Sequence, residues 1–293
     1  RQRRGHGKPV MRNILLHGHI FKNAGSTFDW SLKQSFADGF LDHRDDKPMR
    51  LTGSEVLERL VTENSDLCAI SSHHMTRDMP QLHGVNFISV NLLRHPILRI
   101  RSVYDFERKQ KGVTPGAIAA RDKSFRDYVA WRMQPDVVRT IRNYQTLYLG
   151  GCHRSIDNHG VKGYFSQVLE SIGTGSLLGI VERYDESMVV LEETLRDVFP
   201  GIDLSYVAQN VSAKSGKGDR NGDDGVAEAV AELGNLAKTV LDENSFDQAL
   251  YQVACLELDE KIRSIDQFSE KIESFRARLQ RKKKGIFSRI AGA

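Results

Sequence analysis

The segment HIFKNAGST at residues 19–27 combines a lysine, a glycine and two hydroxyl side chains directly after an apolar run. Lys22 carries a full positive charge, and Gly25 lets a ligand approach the backbone closely. If the chain turns here from a strand into a helix, free backbone N–H groups and the positive end of the helix dipole meet at one point, which is a geometry that binds anions. We therefore predict an anion site formed by Lys22, Asn23, Ala24, Gly25, Ser26 and Thr27.

The spacing of this loop differs from that of an ATP-binding P-loop. In that motif the lysine directly precedes Ser or Thr, whereas Lys22 precedes Gly25 by three positions. No acidic strand end that would bind magnesium stands nearby in the sequence. A nucleotide kinase or P-loop NTPase is therefore an alternative interpretation, and an ordinary strand-to-helix turn with an exposed lysine is another.

The segment that follows the apolar run 85–93 suggests a second anion site. Arg94 would end a strand, Pro96 suits the first turn of a helix, and Ser102 would lie two turns into that helix. Ligands of open α/β sheets gather at the carboxyl ends of the strands, and the planar guanidinium of arginine suits phosphate. Two anion sites along one sheet edge imply a ligand with two phosphate-like ends.

Several motifs in order resemble those of the sulfotransferases that use 3′-phosphoadenosine 5′-phosphosulfate (PAPS). HIFKNAGST is similar to the 5′-phosphosulfate loop of the carbohydrate branch, the heparan-sulfate-type and bacterial glycan enzymes, where HIPKTAGTT is common. LLRHPILRIRSVY at 92–104 is similar to the 3′-phosphate motif. Shorter matches follow, and the resemblance covers about residues 13–215: NYQT at 143–146, GIVERY at 179–184 and NVS at 210–212.

This resemblance implies a P-loop-like α/β fold, PAPS as sulfuryl donor, 3′-phosphoadenosine 5′-phosphate (PAP) as product and no metal. Lys22 with residues 23–27 would hold the 5′-phosphosulfate, while Arg94 and Ser102 would hold the 3′-phosphate. A basic, Gly-rich loop carrying Lys214 and Lys217 would close over that phosphate, with a solvated loop as the alternative. The chain departs from the family pattern at Phe21, where Pro is usual, and at Asn23, where Thr is usual.

The acceptor hydroxyl needs a base, and imidazole titrates near neutrality. His73 and His74 follow the apolar run 67–70 and should reach the same sheet edge as Lys22. The family often carries S-G-H here, a register that favours His73, with His74 as the second candidate and Asp105 and Glu107 as lesser ones. His17 and His19 have metal-like spacing, but the family match favours a structural or donor-site role.

The acceptor itself is predicted only as a class. The resemblance implies a hydroxyl of a glycan. Arginines within 121–142 could line a groove for an anionic saccharide, or they could be ordinary helix surface. A non-catalytic scaffold that has kept the fold is a further alternative.

Strands that alternate with helices predict a mainly parallel sheet covered on both faces. The strands are expected at 13–20, 67–70, 85–93 and 176–181, and the helices at 26–37, 53–61, 96–110, 124–133, 137–148, 162–172 and 186–198.

Three parts of the chain are predicted: a basic N-terminal arm at 1–12, the sulfotransferase domain at 13–224 and a helical C-terminal extension with a basic tail at 225–293. Apolar residues recur at intervals of three or four from 258 to 279, which predicts a long amphipathic helix or a coiled-coil seam. Packing on the core or homo-oligomer formation is favoured over contact with a membrane surface.

The composition favours a soluble globular protein with an anionic ligand. The net charge of +4 is too small to indicate nucleic-acid binding. No apolar stretch approaches the ~20 residues of a membrane span. The three cysteines show no metal or disulfide spacing. We expect a cytoplasmic bacterial protein, with the Golgi lumen as the alternative if an anchor precedes this sequence.

Overall fold

The computed structural model describes residues 11–151, 160–209 and 222–291, with side chains described as far as residue 284. Its centre is a parallel five-stranded sheet, which confirms the predicted α/β fold. The strands, in chain order, are β1 (Arg12–Gly18), β2 (Phe40–His43), β3 (Ala69–Ser72), β4 (Val85–Leu93) and β5 (Leu177–Ile180).

Helices follow or precede these strands throughout the described chain. They are α1 (Gly25–Phe36), α2 (Asp46–Glu63), α3 (Pro96–Lys109), α4 (Pro115–Asp122), α5 (Phe125–Arg132), α6 (Tyr144–Leu149), α7 (Gly160–Gly173), α8 (Tyr184–Leu195), α9 (Asp223–Leu233), α10 (Leu236–Asp242), α11 (Ser245–Ser264) and α12 (Phe268–Ala291).

The strand order β2-β3-β1-β4-β5 places β1 at the centre of the sheet. After β1 the chain runs outward to β2, returns through β3 and crosses to β4 on the other side. The carboxyl end of β1 at Gly18 is paired with Ser72 of β3 and Asn91 of β4. Because connections diverge on either side of a central strand, a crevice opens at its carboxyl end, and ligands of open α/β sheets bind there.

The apolar runs of the sequence form the two buried faces of the sheet. Ile14 and Leu16 of β1 pack with α2 on one face, while Leu15 packs with Phe28 and Leu32 of α1 on the other. This alternation explains why β1 is continuously apolar: both of its faces are covered by helices.

The C-terminal helices share the core of the rest of the chain. Leu250 and Leu258 of α11 pack in one cluster with Leu93 of β4, and Phe275 of α12, fully buried, packs in another cluster with Leu191 of α8. The apolar periodicity at 258–279 therefore faces the core. The predicted single helix is interrupted between α11 and α12, where Gln267 adopts a positive φ of 54°.

Two other differences from the sequence-based elements have local causes. The predicted helix at 137–148 is wrong over its first half, because α6 begins only after Asn143, which takes a left-handed conformation with φ 46°. The predicted elements did not include β2 or α4, which are short and lack a periodic apolar pattern. Among the described helices, none has both the length and the hydropathy of a membrane span.

Candidate functional site

The loop between β1 and α1 is folded as an anion cradle. Lys22 and Ala24 have positive φ values of 68° and 58°, whereas Asn23 between them does not. Such alternation turns successive backbone N–H groups toward one concave side, an arrangement that binds anions. Within the described chain, the N–H groups of Gly25 and Ser26 at the start of α1 donate to no acceptor. A ligand can therefore receive them.

The side chain of Asn23 fixes this loop and does not face a ligand. It is buried, and its Nδ2 donates to the carbonyl of Leu92 (2.7 Å) and to Oε1 of Gln145 (2.6 Å). Asn23 thus ties the loop to β4 and α6. These contacts give the side chain of Asn23 a structural role, and they limit its predicted cofactor-binding role to the backbone.

Gln145 joins the two predicted anion sites. Besides its contact with Asn23, its Oε1 accepts the N–H of Arg94 (2.9 Å) and its Nε2 donates to the carbonyl of Arg94 (2.9 Å). Asp247 of α11 caps the helix that carries Gln145, since its carboxylate accepts the N–H groups of Gln145 (3.0 Å) and Thr146 (2.7 Å). The NYQT motif therefore fixes the positions of the Lys22 loop and of Arg94 through the side chain of Gln145.

Arg94 contacts the loop that carries Lys22. An Nη of Arg94 donates to the carbonyl of Lys22 (3.4 Å), and its Nε lies 3.5 Å from the buried carboxylate of Glu182. Burial, followed by the charges of Arg94 and Lys109, lowers the pKa of Lys22 to about 8. Two cations held together at low hydration favour an anionic ligand, which would restore a normal pKa to Lys22.

Helix α3 supplies the rest of this cationic crevice. The Lys22 Nζ lies 4.6 Å from the ring centroid of Phe106, which also contacts the ring of Phe21. Ser102, half-buried, lies one helical turn before Phe106 and so shares its face of α3. Arg99 is different: it is buried and donates to the carbonyls of Phe21 (3.1 Å) and Thr140 (2.9 Å). Arg99 therefore braces the loop.

A buried carboxylate, Asp29 on α1, organises the histidines at the same sheet edge. Its oxygens lie 2.7 Å from Nδ1 of His17 and 2.7 Å from Nδ1 of His19, and Arg44 contacts it at 3.1 Å. Although burial opposes ionisation, the charges and hydrogen bonds of the two histidines hold the pKa of Asp29 far below its usual range. The ring of His19 fills the space beside Gly25, where a Cβ would lie only 2.3 Å from Cδ2 of that ring.

His17, His19 and Asp29 are also residue types that bind metals, and one ligand atom from each lies within 4.8 Å of the others. The 2.7 Å contacts are hydrogen-bond distances. Tetrahedral ligands at ~2.1 Å from zinc would stand about 3.4 Å apart. The arrangement as it stands is therefore a hydrogen-bonded cluster.

The structure separates the two candidate bases. The ring of His73 lies 4.4 Å from that of His19, and burial together with the neighbouring His19 and Arg44 lowers the pKa of His73. The lowered pKa favours the neutral form of His73, whose ring stands next to His19 at the start of the loop. His74 is also buried, but its ring contacts a different partner: its Nε2 lies 3.7 Å from a carboxylate oxygen of Asp46.

Glu107 and several arginines within 121–142 have structural partners, whereas the charge of Asp105 acts on Lys22 and partly opposes the fall in its pKa. Glu107 is paired with Arg132 at 2.6 Å, so it is not placed as a base. Arg142 donates to backbone carbonyls, one of them that of Val137 at 3.0 Å, and Arg121 does the same at Gly112 (3.1 Å). These contacts favour the interpretation of ordinary structural residues over a saccharide groove. Lys214, Lys217 and the NVS turn lie outside the described residues.

Sequence reasoning missed Asp29, Gln145 and Glu182 as parts of the site. Gln145 lies in the motif NYQT and Glu182 lies in GIVERY, so these two motifs could have identified both residues as parts of the site. Glu182 accepts the N–H of His95 (3.1 Å) and the hydroxyl of Tyr251 (3.1 Å). Asp29 had no signal beyond its place one helical turn after Gly25.

Fold and site together define a parallel α/β protein with a cationic crevice at the carboxyl end of its central strand. The chain is 34% identical over 208 residues to an uncharacterized protein of Archaeoglobus fulgidus, a match that spans 68% of this chain and 80% of the relative. The chain therefore belongs to the same family as that archaeal protein. No family model matches the chain, and no solved structure matches it.

Proposed function

We propose that this protein is a sulfotransferase that moves a sulfuryl group from PAPS to a hydroxyl of a carbohydrate acceptor. One observation carries the proposal: Gln145 holds the Lys22 loop and Arg94 together, so that two anion-binding groups form one crevice at the switch point of the sheet. PAPS has two phosphate-bearing ends that suit such a pair. The motif resemblance supports the same ligand.

Lys22 would act on the leaving group. In-line sulfuryl transfer breaks the S–O bond to the 5′-phosphate of PAPS and forms a new S–O bond to the acceptor oxygen, so negative charge grows on the phosphate. An ammonium and backbone N–H groups directed at that oxygen stabilise the transition state. Arg94 and Ser102 would hold the 3′-phosphate and fix the nucleotide in line.

His73 would take the proton of the acceptor hydroxyl. A base must be unprotonated to act, and the lowered pKa of His73 favours that form. Its contact with His19, which Asp29 holds in place, fixes the ring beside the loop. His73→Ala should then lower turnover while PAP affinity stays within about twofold, and unchanged turnover would move the role to His74 or to a carboxylate.

A thermal-shift titration with PAP, ATP and Mg-ATP tests the proposal. PAP should raise the melting temperature, and Lys22→Ala and Arg94→Ala should each reduce that shift. A larger shift with Mg-ATP would favour a P-loop kinase or NTPase instead. No shift with any nucleotide would favour a scaffold that has kept the fold.

A further inference from the structure

Two cavities lie near the residues of the candidate site. The first, of about 440 Å³, is lined by Ser26, Trp30, Lys33, Phe40, Asp42 and Gln209, with Asp29 also on its wall. The second, of about 420 Å³, lies between α2 and α7 and includes His74 and Arg77.

Of these two cavities, only the first includes a residue of the loop 19–27. It includes Ser26, whose backbone N–H stands at the start of α1, and Asp29, whose carboxylate holds His19 against His73. The second cavity includes no residue of 19–27. An acceptor hydroxyl must come within about 3.5 Å of the sulfur. The first cavity therefore suits the acceptor, and it is connected to His73 through Asp29 and His19.

The walls of this cavity combine an aromatic platform with polar groups. Ser26, Trp30 and Lys33 recur at helical spacing on one face of α1. Phe40 and Asp42 alternate along β2, so they share one face of that strand. The half-buried indole of Trp30 is braced by Lys282 of α12, whose Nζ lies 5.3 Å from its centroid. The Nζ of Lys282 in turn donates to the carbonyl of Ser205 at 2.8 Å, so α12 contributes to the support of the indole.

The charges of the cavity are nearly balanced. Arg44 contacts both Asp42 (2.6 Å) and Asp29 (3.1 Å). Lys33 pairs with no carboxylate among the described residues. A mostly neutral, hydroxyl-rich ligand with an apolar face matches these walls, because its C–H face can lie on the indole while its hydroxyls bond to Asp42, Lys33 and Gln209.

We infer that this cavity binds a saccharide ring of the acceptor, stacked on Trp30. The inference rests on the proposed function, because it places the acceptor relative to the sulfuryl donor. Trp30 is then the residue that decides acceptor affinity. The donor site, which shares only its edge at Ser26 with the cavity, should not depend on the indole.

Fluorescence gives a direct readout, because Trp30 is one of two tryptophans in the chain. The other, Trp131 on α5, does not line the cavity, so Trp131→Phe makes Trp30 the only indole. Titration of that variant with cellotetraose, chitotetraose and a heparosan tetrasaccharide, in the presence of PAP, should give a saturable change in emission with at least one of them.

Calorimetry with the responding saccharide then assigns the site. Trp30→Ala should weaken its binding about tenfold or more, Trp30→Phe should retain most of it, and Arg50→Ala in the second cavity should leave it within twofold. PAP affinity should stay unchanged in all three variants, which also shows that they are folded.

Three results would overturn the inference: no saccharide binds although PAP does, binding is unaffected by Trp30→Ala, or binding is lost in Arg50→Ala. If a saccharide binds at Trp30 but PAP does not bind, the proposed sulfotransferase function fails while the cavity assignment holds. The two failures are thus distinguishable.

Discussion

At the scale of single residues, the site depends on where charge is held at low hydration. The ammonium of Lys22 lies against Phe106 and beside Arg94, and its pKa falls to about 8. The carboxylate of Asp29 is buried but ionised, because His17 and His19 donate to it. The lowered pKa of Lys22 favours the binding of an anion. Asp29, whose hydrogen bonds are satisfied, instead holds the two histidines in place.

Lys22→Ala should weaken PAP binding by about tenfold or more, since one charge-assisted hydrogen bond contributes about 1.5–3 kcal/mol. If an acceptor is found, turnover should fall further, by about 100- to 1000-fold, because the charge on the leaving phosphate grows in the transition state. Calorimetry and labelled-sulfate transfer measure the two effects. Arg108→Ala, an exposed change on the same helix as Phe106, is the control.

PAP affinity should depend on pH through Lys22. With a pKa of about 8, the ammonium is charged at pH 7 and is lost as the pH rises, so the dissociation constant should be level from pH 7 to 7.5 and should rise above pH 8. The arginine of Lys22→Arg stays charged throughout this range, so the PAP affinity of this variant should not fall above pH 8. A wild-type affinity that stays constant to about pH 9.5 would contradict the role of Lys22.

At the scale of elements, the anion cradle depends on how closely α1 approaches the end of β1. Gly25 begins α1 directly against the ring of His19, and a Cβ there would lie 2.3 Å from that ring. Asn23 and Gln145, 122 positions apart in sequence, hold the other side of the loop. The loop is thus packed from both sides.

Gly25→Ala should displace either the His19 ring or the first turn of α1, and PAP affinity should fall about tenfold or more because the N–H groups of the cradle move. Gly112→Ala is a matched control, since a Cβ there meets nothing within 4 Å. Equal PAP affinity in the two variants would show that the contact between Gly25 and His19 does not shape the cradle.

The sequence predicted secondary-structure elements better than it predicted contacts between residues that are distant in the chain. Continuous apolar runs identified β1 and β4, and the polar segment between strand and helix identified the loop, because these signals are local. Asp29 was not predicted, since its partners come from β1 and from Arg44 after β2, and no spacing in the sequence reveals that convergence. The helix expected at 137–148 failed because Asn143 is held left-handed by contacts with α11, its Oδ1 accepting the N–H of Asp247 at 3.0 Å.

At the scale of the whole molecule, the C-terminal helices belong to the same packed body as the crevice that contains Lys22 and Arg94. Tyr251 of α11 donates to Glu182, which faces Arg94, and Arg278 of α12 contacts Glu192 of α8 at 2.6 Å. The predicted division at residue 224 therefore does not separate two independent cores among the described residues.

Phe275→Ala should destabilise the protein by about 3–5 kcal/mol, because Phe275 is fully buried in the cluster that α12 shares with α1 and α8. Leu256→Ala on α11, where the side chain is 67% exposed, should change the free energy of unfolding by less than about 0.5 kcal/mol. Urea unfolding measures both. If Phe275→Ala lowered the free energy of unfolding as little as Leu256→Ala, α12 would not contribute to the stability of the core.

The central claim is that Lys22 and Arg94 hold the two phosphate-bearing ends of one nucleotide. The most direct measurement is calorimetric titration of the full chain with PAP and with 5′-AMP, which lacks the 3′-phosphate. We expect PAP to bind at least about 30-fold more tightly, because Arg94 adds a charged contact of about 2 kcal/mol, and Arg94→Ala to remove most of that difference. Equal affinity for the two nucleotides, or tighter binding of Mg-ATP than of PAP, would contradict the account.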